Sequence, residues 1–266
     1  MRCAVIGDPA DHSLSPAIHR AGYRLYDLDW EYEAISITAE RMPSFVESIL
    51  ADPRWAGLSV TAPHKEAILA YGEPDSVSKL VGAGNTLLAG ESPTVHNTDV
   101  PGFVRAWRHH DLKPPKVAVV VGNGATARSI LVALTGLETS RVIVLARNPE
   151  RAQPLSELGN ALGITVEVQP IDQPLVPVDL VASTIPAAAT APYAKQWASA
   201  AKVLFDAIYD PWPTPLSQAA AAGQPTLSGL DLLAGQAVDQ FLLLTGRKVT
   251  FEQCHSAAAE ELRSRS

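Results

Sequence analysis

Short apolar runs alternate with stretches of helical spacing over the first hundred residues. Residues 3–6, 32–37, 58–61 and 86–89 read as strands, while 15–26 and 39–50 space apolar side chains as helices with one buried face do. Turn formers such as Gly7-Asp8-Pro9 and Gly90-Glu91-Ser92-Pro93 fall between these elements, where the chain must reverse. The pattern predicts an α/β unit. A second unit begins after Lys113-Pro114-Pro115, whose paired prolines end a helix over 103–110 and lead into Val117-Ala118-Val119-Val120-Val121. Further apolar runs at 142–146, 164–168, 180–183 and 203–208 alternate with helical stretches. Strands without a polar face need cover on both sides, so this half predicts a doubly wound parallel sheet. Over 230–245, Leu233, Ala237, Phe241 and Leu244 form one face of an amphipathic helix. The alanine-rich stretch 187–189 reads as a loop and 219–222 as a helix, and no internal repeat is visible.

Composition narrows the partners. The chain has 266 residues, 47% hydrophobic and 18% charged, with a formal net charge of -7 and no basic run, which disfavours nucleic acid or an anionic membrane and leaves a small molecule. No apolar stretch approaches the roughly 20 residues that span a bilayer, and the N-terminus reads as a strand rather than a signal peptide, so a cytoplasmic location is expected. Two cysteines, Cys3 and Cys254, support neither a disulfide framework nor a thiolate metal site. The seven histidines show no ligand spacing and His109-His110 reads as a helix end, so no metal is expected.

Val121-Gly122-Asn123-Gly124-Ala125-Thr126-Ala127 fits G-x-G-x-x-A between a strand and a helix. Its glycines allow a tight turn and close approach of a pyrophosphate to the helix N-terminus. About twenty residues on, where an NAD site places a carboxylate for the ribose 2′-hydroxyl, the chain has Arg147 and Arg151. Guanidinium groups clamp a 2′-phosphate instead, so the cofactor expected is NADP; two solvated arginines are the plain alternative.

Four polar segments lie at the edges of elements in the first half: His12-Ser13-Leu14-Ser15-Pro16, Ser59-Val60-Thr61-Ala62-Pro63-His64-Lys65, Gly84-Asn85-Thr86 and Asn97-Thr98-Asp99. Each has a structural reading. Ser15 could cap a helix ahead of Pro16, Asn85 could serve a turn, Asp99 could cap the helix that contains Phe103, and Lys65 could be a solvated lysine in a first helical turn. That last reading fits worst, because a cation early in a helix opposes the macrodipole unless an anion is near.

Together these segments resemble the shikimate dehydrogenase family. The likeness continues through the dinucleotide loop, Tyr209 in "FDAIYDPWPTPL" and Gly229 with Gln236 in "SGLDLLAGQAVDQF". The resemblance implies a substrate-binding, catalytic domain over 1–101, completed by about 235–266, and a Rossmann-type NADP domain over 102–234, with the two sites facing across a cleft. It implies that Ser13, Ser15 and Tyr209 hold the substrate carboxylate and that Thr61, Asn85, Asp99 and Gln236 hold the ring hydroxyls. Lys65 and Asp99 are then the catalytic pair. Gly122, Asn123, Gly124, Ala125, Arg147, Arg151, Thr184 and Gly229 are placed on the cofactor side, with Ile185-Pro186 near the nicotinamide. The implied reaction is reversible reduction of 3-dehydroshikimate to shikimate by NADPH in chorismate biosynthesis, in a monomer or homodimer.

Three positions depart from the family pattern: Ala125 where a second loop glycine is common, Val100 where a glycine often follows N-T-D, and Leu232 where methionine is common. Ala125 bears on cofactor placement, and Val100-Pro101-Gly102 on the linker between domains. Two rival functions are an NAD-dependent quinate/shikimate dehydrogenase, disfavoured by Arg147, and a non-catalytic binding protein on the same scaffold, disfavoured by the retained Lys65 and Asp99.

Overall fold

The computed structural model describes residues 1–265, which divide into two compact units: Met1–Ala106 together with the segment from Leu233 onward, and Trp107–Leu232. Both are α/β, as the alternation of strands and helices implies.

In the first unit the chain runs β1 (Arg2–Gly7), α1 (Ser15–Leu25), β2 (Glu31–Ser36), α2 (Met42–Ala51), β3 (Trp55–Val60), β4 (Glu73–Pro74), α3 (Ser76–Val81), β5 (Thr86–Leu88), β6 (Thr94–His96) and α4 (Asp99–His109), the last helix running past Ala106. Its six-stranded sheet has the order β2-β1-β3-β5-β6-β4. Strands β2, β1 and β3 are parallel, and β5 returns antiparallel to β3. The order of strands reverses at β1, so Gly7 and Thr61 leave the sheet at its carboxyl edge beside a topological switch point, where such sheets bind ligands. The core sets Ala4, Ile6, Leu58 and Val60 against Met42, Val46 and Ile49 of α2.

The second unit contains β7 (Val117–Val121), α5 (Ala125–Thr135), β8 (Arg141–Ala146), α6 (Gln153–Ala161), β9 (Thr165–Pro170), β10 (Val178–Ser183), α7 (Ala187–Thr190), α8 (Ala194–Ala200), β11 (Ala201–Asp206), α9 (Pro215–Gln218) and β12 (Thr226–Ser228). All neighbouring strands are parallel, in the order β12-β11-β10-β7-β8-β9. This is the doubly wound sheet predicted from its uninterrupted apolar strands: Ala118 to Val121 are all fully buried. The chain reaches α10 (Gly229–Thr245) and ends in α11 (Phe251–Arg265).

Several local expectations need correction. Val100-Pro101-Gly102 is no linker: it forms the first turn of α4, with the Gly102 N–H on Thr98 O at 3.0 Å. Pro101 is tolerated there because first-turn N–H groups have no intrahelical partner. The α-helix expected over 39–50 starts only at Met42, with Pro43 in its first turn. Residues 187–189, expected as a loop, form a helical turn closed by the Thr190 hydroxyl on Ala187 O. The 219–222 stretch lies outside a helix, because α9 stops at Gln218 and Gln224 Oε1 takes the Ala221 N–H at 2.9 Å.

Candidate active site

Lys65 sits in a turn between β3 and a short 3-10 helix over Ala67–Tyr71, not in the first turn of an α-helix. The turn is anchored on all sides. Thr61 N–H donates to Ile6 O, Asp8 N–H to Ala62 O and Gly84 N–H to Lys65 O, each at 2.8–3.0 Å. Buried His64 bonds Ile37 O through Nε2 at 2.7 Å. Gly7 carries no side chain because a Cβ there would strike the Thr61 methyl. The backbone is thus held while the Lys65 side chain projects from it.

Its partner arrives on α4. Asp99 is the first residue of that helix rather than its cap, and the Asn97 side chain takes the Val100 N–H instead. Lys65 Nζ donates to Asp99 Oδ2 at 2.6 Å, with the two side chains only 14% and 6% exposed. Asn85 Nδ2 faces the other carboxylate oxygen at 3.0 Å, Thr98 Oγ1 at 2.9 Å and Gln236 Oε1 at 3.2 Å. An ammonium so little exposed needs its anion, and an anion so enclosed needs its donors. This resolves why a lysine follows the strand end.

Helix α10 meets α4 with backbones in contact: a Cβ on Gly235 would strike Gly102 O, and one on Gly102 would lie 2.5 Å from Gln236 N. The crossing sets Gln236 against Thr98, whose hydroxyl is 3.0 Å from Gln236 Oε1. Asn85, Asp99, Lys65 and Gln236 are therefore brought together. Ser13 and Ser15 are both buried at the start of α1. Ser15 does not cap the helix; the Ser13 hydroxyl accepts the Ser15 N–H at 3.2 Å, and the helix N-cap is Leu14. Arg265, on α11, donates to the His12 and Ser13 carbonyls.

In the second unit Gly122 leaves β7 with φ +112, a left-handed conformation open to glycine, and a Cβ there would lie 2.5 Å from Thr184 Oγ1. Thr184 bonds Val121 O through its N–H and its hydroxyl. These two residues flank the switch point between β7 and β10. Gly124 opens on space, since a Cβ there would meet nothing within 4 Å, and no side chain caps α5. Ala125 is the first residue of that helix. An open cradle at a helix N-terminus suits a pyrophosphate. Asn123 Nδ2 donates to Arg151 O at 3.2 Å, tying the loop to the exposed Arg147–Arg151 segment after β8. Gly229 is explained by packing, because a side chain there would run into Ala207 O.

Tyr209 lies half-buried in the loop that follows β11. Asp206, fully buried, staples that loop: the Thr214 hydroxyl donates to Oδ2 at 2.7 Å and the Ile208 N–H to Oδ1 at 3.2 Å, while burial raises the carboxyl pKa. Sequence reasoning missed this staple. It also missed buried Gln240, Tyr32 and His19 behind Asn85, and with them the bonds that tie Ser59 and Thr86, members of the polar segments, into one strip. The available signal was the four-residue spacing of Gln236 and Gln240, which puts both amides on one helix face.

Comparison with known proteins identifies relatives of the whole chain. The family model described as the shikimate dehydrogenase substrate binding domain matches residues 5–87. The shikimate dehydrogenase (NADP(+)) of Natronomonas pharaonis is 34% identical over 264 residues, covering 97% of this chain and 98% of its own. Among solved structures, Mycobacterium tuberculosis shikimate dehydrogenase superposes with a TM-score of 0.89 at 36% identity, over 97% of this chain and 99% of its own. The Thermus thermophilus enzyme, solved in complex with NADP(H) and shikimate, gives 0.84 at 28% identity, over 98% and 99%. Likeness of this extent makes this chain a member of the shikimate dehydrogenase family.

Proposed function

We propose that the protein is an NADP-dependent shikimate dehydrogenase, an oxidoreductase that interconverts 3-dehydroshikimate and shikimate. The observation that carries the reading is the Lys65–Asp99 pair at 2.6 Å, Asp99 buried and Lys65 partly so, in contact with Asn85, which in turn meets Gln236. Bound NADPH supplies the hydride that adds to the ketone carbon of the substrate. Negative charge then develops on the carbonyl oxygen, where the Lys65 ammonium stabilises it and gives up a proton to form the hydroxyl. Asp99 holds Lys65 in place and accepts a neighbouring ring hydroxyl. Thr61, Asn85 and Gln236 offer further hydrogen bonds to the ring, and Ser13 and Ser15 bind the carboxylate. Gly122, Asn123, Gly124 and Ala125 would receive the pyrophosphate and Arg147 with Arg151 the 2′-phosphate; Thr184 and Gly229 would stand on the cofactor side, Gly229 through its close packing on Ala207 O.

The test follows nicotinamide absorbance with purified protein, offering shikimate and quinate in turn, each with NADP and with NAD. Turnover of shikimate with NADP is expected to exceed the other three combinations. Preference for quinate with NAD would overturn both the substrate and the cofactor assignments.

A further inference from the structure

Gln240 lies one helical turn beyond Gln236 on α10 and is only 1% exposed, yet no step of the reaction uses it. Its amide meets four groups. Nε2 is 3.1 Å from Asn85 O and 2.8 Å from Thr86 Oγ1, while Oε1 is 2.7 Å from Ser59 Oγ and 3.2 Å from His19 Nε2. A main-chain carbonyl can only accept, so the end facing Asn85 O is the nitrogen and the oxygen faces Ser59 and His19.

That one orientation directs every proton in the strip. Ser59 gives its hydroxyl proton to Gln240, so Tyr32, whose phenol touches Ser59, donates to Ser59. His19 carries its hydrogen on Nε2, leaving Nδ1 bare, and burial lowers the ring pKa to about 4, so the ring is neutral. On the other side Thr86 accepts from Gln240 and passes its own proton to Asn85 Oδ1 at 3.1 Å. The Thr98 N–H meets that same oxygen at 2.8 Å. Asn85 Oδ1 is thereby filled with donors, and its Nδ2 turns toward Thr98 Oγ1, Asp99 and Gln236. The Asn85 main chain is gripped as well, its carbonyl accepting from Val60 N–H on β3 and from Gln240 on α10.

The geometry points to Gln240 as a positioning residue for the Lys65–Asp99 pair, acting through Thr86 and Asn85. The assignment rests on the dehydrogenase reading of that pair. Without the Gln240 amide, the Thr86 hydroxyl is free to turn away from Asn85 and α10 releases the Asn85 carbonyl. The Asn85 amide then loosens, and Asp99 loses the N–H that fixes the oxygen opposite Lys65.

Gln240→Met keeps an unbranched side chain of similar length and removes both polar ends. With NADPH and 3-dehydroshikimate, kcat should fall roughly 10- to 100-fold, the effect of misplacing a catalytic group by a fraction of an ångström to an ångström. KM for 3-dehydroshikimate should change less than about threefold. With deuterium at the transferred position of NADPH, the isotope effect on kcat should rise, because hydride transfer becomes slow relative to release steps. A variant that is merely less folded loses active molecules and keeps the isotope effect of the unmodified protein; that result, or an unchanged kcat, overturns the assignment. Thr86→Val breaks the relay one residue further on and serves if Gln240→Met does not fold: the same rise is expected, and an unaltered kcat and isotope effect overturn the relay. An unmodified protein inactive on both shikimate and 3-dehydroshikimate would instead remove the dehydrogenase reading. The side-chain amide of Asn85, followed by nitrogen-resolved NMR, then decides the positioning role: loss of its protection from solvent exchange in Gln240→Met supports it, and equal protection overturns it.

Discussion

Gly102→Ala tests whether the contact between α4 and α10 sets the geometry of the site. The added Cβ would lie 2.5 Å from Gln236 N, 2.7 Å from its Cα and 2.8 Å from its Cβ, where ordinary contact begins at 3.4 Å. These neighbours are two backbone atoms and the first side-chain carbon, none of which can swing away, so the helices must part by about 0.9 Å locally. Overpacking of this kind costs about 1–3 kcal/mol, and the helix propensity of alanine over glycine returns about 1 kcal/mol. The net loss of about 0–2 kcal/mol leaves the protein folded, with Tm lowered by up to about 8 °C for a chain of this size. Catalysis should suffer far more. Asp99 lies one turn before Gly102, and Gln236 is the residue struck, so the contacts of Asn85 at 3.0 and 3.2 Å stretch beyond hydrogen-bond length. A shift of about 1 Å at a catalytic constellation costs about 10²-fold, read here as kcat/KM for shikimate with NADP beside a thermal unfolding curve. Unmodified kcat/KM in a folded Gly102→Ala protein would refute the claim that this crossing sets the site.

Further outcomes are expected elsewhere. Lys65→Ala should lower kcat by about 10²–10⁴ with a much smaller change in shikimate binding; a folded variant with unmodified kcat would end the catalytic assignment. Replacing Arg147 and Arg151 together by uncharged residues should raise KM for NADP and spare NAD, whereas equal losses for both cofactors would place these side chains at the fold or the pyrophosphate. His19 has its folded-state pKa depressed from 6.5 to about 4 by burial, so between these values the unfolded chain binds a proton that the folded protein refuses. Stability supplied by this group is therefore present above pH 6.5 and is lost as pH falls toward 4, by up to about 3 kcal/mol. Denaturant unfolding across that range should show a shallower acid limb in His19→Leu, and an identical limb would remove His19 as its cause.

The apolar strands were legible because their chemistry is local. Val117–Val121 cannot face water on either side, and five consecutive valine and alanine residues announce this without further context. The dinucleotide turn was legible for a similar reason, since Gly122 needs its left-handed φ whatever surrounds it. By contrast, β4 and β6 have two and three residues, too few to show a period, and exist through their pairing with each other and with β5. Val100-Pro101-Gly102 reads as a break because proline and glycine stop helices in mid-run; at a helix start proline is harmless, and Gly102 is needed for the close approach of α10. Lys65 draws notice in the sequence because the first turn of a helix is expected around it, which the structure does not form; its partner Asp99 comes from the motif order that the family resemblance supplies. The spacing of Gln240 from Gln236 was visible, but its importance was not, because that depends on Asn85, Thr86, Ser59 and His19, all more than a hundred residues away in sequence.

That separation bears on how the protein is made. The first unit is discontinuous: its sheet is encoded before residue 107, but Gln236 and Gln240 come after the whole of the second unit. While the nascent chain lacks α10, the Asn85 carbonyl keeps only its bond from β3, and Ser59 and Thr86 have no amide to join them. The strands can pair, yet their polar strip must stay hydrated, since closing it dry would strand hydroxyls without partners. Synthesis therefore gives the second unit, a continuous segment, the opportunity to fold completely while its predecessor waits. The arrival of α10 then expels water from the strip and orders the residues around Lys65 in one step, so that catalytic competence is among the last properties the growing chain acquires.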